Sequence, residues 1–125
     1  MCKKIPKSML FRACLYPSPD IQGYFVAHCL ELDVIGEGDT PEKALIELVQ
    51  AIEIQIENCT NATQFLFPAP ASVWKRYKDS VNAGRAILKR IVEQVMEKLP
   101  ASDYTPYFEN VGASSTIPEE YVTIN

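Results

Sequence analysis

The segment Asp39-Thr40-Pro41-Glu42 constrains the chain most, because it divides three strand-like stretches from a long helical pattern. Asp39 or Thr40 can cap the free amide groups of a first helical turn, Pro41 suits that turn because its missing N–H is not needed there, and Glu42 complements the helix dipole. Downstream, Ala44, Leu45, Leu48, Val49, Ile52 and Ile56 recur at three- and four-residue steps. This spacing predicts a helix from about Pro41 to Asn58 with one apolar stripe against a sheet. Ile46 and Ile54 lie off the stripe, as isolated exposed residues or as part of a partner surface.

Upstream, Met9 to Tyr16 is apolar except for Arg12 and ends at Pro17-Ser18-Pro19-Asp20, which reads as a strand closed by a turn. A second strand is expected from Gly23 to Leu30 and a third from Asp33 to Glu37; the short connections make them an antiparallel meander. After the helix, Phe65 to Pro70 is an apolar, proline-stiffened connector that cannot offer a full hydrogen-bond ladder. Ser72 to Asp79 reads as helical and Ser80 to Gly84 as a break. Arg85 to Leu99 is expected to be one amphipathic helix with Ile87, Leu88, Ile91, Val92, Val95 and Leu99 inward. Tyr121 to Ile124 is rich in β-branched and aromatic residues and predicts a late strand.

With 125 residues, 47% of them apolar and 22% charged, the chain fits one compact α+β domain. Its formal charge of −4 excludes a generic polyanion binder. The charge is uneven: Met1 to Pro70 carries five basic and nine acidic residues, Ala71 to Lys98 seven and three, and Leu99 to Asn125 none and four. No apolar run approaches the ~20 residues of a membrane span, and no secretory signal follows the basic start, so the cytoplasm is the expected compartment. Cys2, Cys14, Cys29 and Cys59 match no zinc or redox spacing and read as small apolar groups.

The single histidine, His28, neighbours Cys29, but adjacent strand residues point to opposite faces, so a Cys/His nucleophile pair is not expected. No metal-ligand spacing accompanies it. Glu31, Asp33, Glu37, Asp39 and Glu42 concentrate acid around the third strand and the helix start. Such a run could in principle seat two metal-binding carboxylates, but is more often a solvated face, or equally the electrostatic mate of a basic protein. Trp74, Lys75, Arg76, Tyr77 and Lys78 interleave aromatics with cations, and Arg85, Lys89 and Arg90 continue the basic theme. Stacking with phosphate contact would make these six cations candidate nucleic-acid contacts, while the plainer reading is a basic helix surface anchored by a core tryptophan.

The stretch from Gly23 to Leu45 resembles the signature region of HicB-like antitoxins. Phe25 and Ala27, Glu31 and Leu32, Gly38, Asp39 and Thr40, and Glu42 with Ala44 occupy the family's aromatic-x-Ala, Glu-Leu, Gly-Asp-Thr and acidic-Ala places. Pro68-Ala69-Pro70 is similar to the proline pair that often follows the family's first helix, so the resemblance spans about Met9 to Pro70. It implies a partial RNase H-like arrangement: the meander, a helix across it, and a further strand completing the sheet. Residues 1–70 would then form the core, 71–100 a basic helical extension packed on it, and 101–125 a tail whose late strand fills the remaining place in the sheet.

HicB-like antitoxins bind and mask a small basic ribonuclease toxin of the HicA type, and many also bind DNA. The resemblance therefore implies a non-catalytic, homo-oligomeric partner-binding protein without metal or cofactor, with Glu31, Asp33, Glu37 and Asp39 toward the partner. No helix-turn-helix or ribbon-helix-helix pattern follows Pro70, which leaves DNA contact open. An orphan HicB-like oligomeric module is the first alternative. An RNase H-like metal-dependent nuclease is the second, and it would need a carboxylate from the first strand, where Met9 to Tyr16 has none.

Overall fold

The computed structural model describes residues 10–58, 68–100, 102 and 104–124. Strands β1 (Phe11–Pro17), β2 (Phe25–Cys29) and β3 (Ile35–Gly38) form the expected antiparallel meander, with Leu15 opposite Ala27 and Ala27 opposite Gly36. The β1–β2 connection is tied by Ser18, whose N–H donates to Tyr24 O and whose hydroxyl oxygen accepts from the amides of Asp20 and Ile21. Gly23 completes the turn at a φ of +84°.

Helix α1 (Pro41–Glu57) starts where the sequence indicates. Of the two candidate caps it is Thr40 that acts, its hydroxyl oxygen accepting from Lys43 N at 3.2 Å, with Pro41 in the first turn. The whole predicted stripe is buried. Of the two isoleucines off it, Ile46 packs partly against the core while Ile54 stays 60% exposed.

The helix lies directly on β3 because two glycines remove the side chains between them. A Cβ on Gly36 would overlap the Leu48 amide nitrogen and the Ala44 carbonyl oxygen, and one on Gly38 would stand 2.6 Å from Lys43 Cβ.

The second half of the chain departs from the sequence reading in two places. Helix α2 (Ala71–Asn82) forms and runs through Ser80 to Asn82, which the sequence reading gave to a break, and Arg85 to Leu99 is not one helix: Arg85–Ile87 is strand β4, and only Lys89–Lys98 is helix α3. Gly84, at a φ of +70°, turns the chain, and β4 then pairs with a later strand, which overrides a pattern that also fits a helix. Ile87, Ile91 and Val95 are buried, whereas Leu88, just before the helix, Val92 within it and Leu99 just after it are half-buried.

The second correction concerns the strand that completes the sheet. That place belongs to β5 (Phe108–Ala113), which runs parallel to β1 with Ala13 opposite Val111. The late strand exists as β6 (Val122–Ile124), after a 3-10 turn at Glu119–Tyr121, but it pairs with β4 at the far edge. The result is a six-stranded mixed sheet of order β3-β2-β1-β5-β4-β6 in an α+β fold. β4 meets β5 through one residue pair, Ala86 and Gly112.

One face of the sheet is covered by α1 and α3 over Phe11, Ala13, Leu15, Ala27 and Cys29. The other carries α2, whose Tyr77 packs with Cys14, Leu30 and Ala69, with Val73 and Trp74 alongside. Of the proline connector, Pro68-Ala69-Pro70 is described, and Ala69 N donates to Leu30 O at 2.7 Å; Phe65 to Phe67 lie outside the described residues. Among the described residues no helix is long and apolar enough to cross a membrane.

Gly36→Ala should lower the unfolding free energy by about 3 kcal/mol, the upper end for overpacking, because helix backbone has to move. Gly23→Ala, at a positive φ but with open space around it, should cost only about 1 kcal/mol. Urea unfolding of the two variants checks the contrast.

Candidate functional site

The four carboxylates singled out from the sequence separate into two groups. Glu31 is engaged by β1: its carboxylate accepts from Arg12 N and Arg12 Nε, both at 2.8 Å. That bond raises the Arg12 pKa further above its already high ordinary value. Asp33 sits at a φ of +54°, a conformation that aspartate tolerates better than most residues, and accepts from His28 Nε2 at 2.7 Å. Glu31 is largely enclosed by this pairing, whereas Asp33 keeps an exposed carboxylate oxygen beside its bond to His28.

Glu37 and Asp39 belong to the other group, at the open margin of the sheet. β3 ends the strand order, so its outer backbone groups have no strand partner among the described residues. Beside it runs a groove of about 410 Å³ lined by Tyr24, Glu37, Gly38, Asp39, Lys43, Ile46, Glu47 and Gln50. Glu47 faces this strand, its carboxylate accepting weakly from Glu37 N at 3.4 Å. Asp39 pairs with exposed Lys43 at 3.0 Å, so three carboxylates share the groove with one cation. Glu47 escaped the sequence reading because it lies beyond the acidic run. The available signal was its position on α1 one turn after Lys43, off the inward stripe.

His28 and Cys29 point to opposite faces, as strand geometry requires. Cys29 enters the α1 core, while buried His28 joins Tyr16 and Asp33 on the other face. With Asp33 accepting at Nε2, Nδ1 is left to accept the Tyr16 hydroxyl at 2.8 Å. Burial pushes the Tyr16 and Tyr77 phenols above their usual range. Two stacked cations complete this face: Arg12 lies 4.9 Å from the Trp74 ring centroid and Arg76 lies 4.3 Å from that of Tyr16. Among the described residues no three metal-ligating side chains gather in one place.

The six candidate nucleic-acid cations do not share one surface. Lys75, Arg76 and Lys78 are on α2, Lys89 and Arg90 open α3 across the sheet, and half-buried Arg85 is turned toward the loop after β5. Lys75 pairs with Asp79 at 2.9 Å and Lys89 with Glu93 at 3.9 Å. The remaining motif residues are structural. Phe25, Ala27, Leu32 and Ala44 join the main core, Gly38 accommodates α1, and Glu42 forms an ion pair with Lys98 that links α1 to α3.

Comparison with protein-family models, with curated proteins and with solved structures returned no match.

Cys14 and Cys29 are free and buried; Cys2 and Cys59 lie outside the described residues. Burial pushes the Cys14 thiol up to about 11 and the Cys29 thiol up to about 12, from a usual 9.0. In a Cys2→Ser/Cys59→Ser background both thiols should resist alkylation at neutral pH until the protein unfolds. The linked stability is complete below the unfolded value of 9.0 and falls as pH rises toward 11, because the unfolded chain ionises first. Urea midpoints between pH 8 and 11 check the sign.

Proposed function

We propose that this chain is a non-catalytic, HicB-like antitoxin that binds and masks a small basic ribonuclease of the HicA type. The carrying observation is the open outer edge of β3, bordered by Glu37, Asp39 and Glu47. An unpaired strand edge offers backbone groups to an extended segment of a partner, and surplus negative charge orients a basic one. The likeness of Gly23 to Leu45 to the antitoxin signature, with Thr40 capping the helix it introduces, supports the same reading. The working surface is then Glu37, Asp39 and Glu47, while Glu31 and Asp33 brace the fold behind it.

The orphan oligomeric module draws support from Ile35, 44% exposed on the same edge strand, and from Ile54. Two β3 edges brought together would place like charges side by side, which disfavours that pairing for self-association. The nuclease reading has the least support, since β1 offers no carboxylate.

The test is co-expression with the protein encoded beside this gene, where a short basic chain with a glycine-histidine motif is expected. Glu37→Lys combined with Glu47→Lys should slow association at least tenfold at low salt and abolish rescue from growth arrest. Glu119→Lys with Glu120→Lys, outside the groove, should leave both unchanged. A neighbour that arrests growth and is neither bound nor rescued by the native chain contradicts the proposal.

A further inference from the structure

Arg85 opens β4 immediately after the turn at Gly84. Its Nη2 donates to two carbonyl oxygens in the loop after β5, Ser114 O at 3.3 Å and Ile117 O at 2.6 Å, so the guanidinium is held in place. Its Nε is sealed from solvent and meets no acceptor, the one side-chain nitrogen or oxygen in that condition among the described residues. Buried donors are nearly always paired, so Arg85 is held here with part of its hydrogen-bonding capacity unused.

Arg85 lines a cavity of about 120 Å³ shared with Arg76, Asp79, Ser80, Ser114 and Ser115. Arg76 is held by its stack on Tyr16 and makes no ion pair among the described residues. The single carboxylate, Asp79, pairs with Lys75 at 2.9 Å on the exposed side of α2. Two guanidinium groups therefore set the sign of the pocket. Its volume is several times what one water needs, about 10–15 Å³, and below the roughly 300 Å³ at which organic-ligand sites begin. A tetrahedral oxyanion fits between those limits, and guanidinium is the group whose forked donors match its oxygens.

We infer that this pocket binds one phosphate group between Arg76 and Arg85. The phosphate is a free or terminal group, or one phosphodiester of a nucleic-acid strand; the oxyanion chemistry is common to both. This site is separate from the β3 edge and does not rest on the antitoxin reading.

An NMR titration tests it, following the Arg85 Nε–H resonance and the amides of Ser114 and Ser115, with inorganic phosphate in one arm and a short single-stranded oligonucleotide in the other. Saturable shifts in the low-millimolar range or tighter are expected. A response to phosphate identifies a free or terminal group, and a response to the oligonucleotide alone identifies the phosphodiester backbone. Arg76→Gln should weaken binding at least tenfold, whereas Lys78→Gln, on the same helix but outside the cavity, should change it less than twofold. Because Arg85 also anchors the loop, Arg76→Gln is the decisive variant. Absence of saturable shifts with either ligand to about 20 mM, identical shifts with sodium chloride at matched ionic strength, or binding that survives Arg76→Gln would overturn the proposal.

Discussion

The contact on which the rest of the structure depends is backbone against backbone, between α1 and β3. With glycine at positions 36 and 38, nothing separates the helix from the edge strand, and α1 settles at the margin of the sheet. From there Leu45, Leu48 and Ile52 join Ala27, Leu15 and Phe11 in one core, and room remains on the same face for α3. The Glu42–Lys98 ion pair joins the two helices across that face. The same placement leaves Ile46 and Glu47 beside β3, which is why an acidic groove runs along this edge.

The opposite face is held by different forces. Helix α2 has no side-chain N-cap, since Pro70 stands at its start, and its largest inward residues are aromatic. Its register on the sheet is set by Arg12 stacked on Trp74 and Arg76 stacked on Tyr16, each worth about 0.5–1 kcal/mol where partly exposed. Glu31 and the His28–Asp33 pair then fix the residues on which these stacks rest. A polar lattice of this kind supplies orientation more than bulk stability, because each exposed ion pair contributes little by itself.

The parts of this arrangement that were legible in the sequence are those encoded by neighbours in the chain. The meander, the capped helix and its stripe were readable because hairpin spacing and the 3.6-residue period are local signals. β5 was not: Phe108-Glu109-Asn110-Val111-Gly112-Ala113 has weak alternation and a glycine within it, and its partner lies at the other end of the chain. Gly112 lies close under α2, where a Cβ would stand 3.1 Å from Ser80 Cβ and 3.2 Å from Tyr77 Cδ1. β4 was read as helix because three residues carry no period of their own. For the site, acid near the third strand was evident, but only tertiary structure separates Glu31 and Asp33, tied to Arg12 and His28, from Glu37 and Asp39, which line the groove.

The parallel pairing of β1 with β5 joins Phe11 to Phe108 and so spans most of the polypeptide. Contacts between residues this distant close late, because the entropy of a long loop is lost before the pairing returns any stabilisation. During synthesis, the meander and α1 can assemble while β1 keeps a bare inner edge, and that edge is satisfied only when Phe108 to Ala113 emerge from the ribosome. A nascent chain stalled before that point would expose a strand already ordered on one side and vacant on the other, the form most prone to pair with a neighbouring chain.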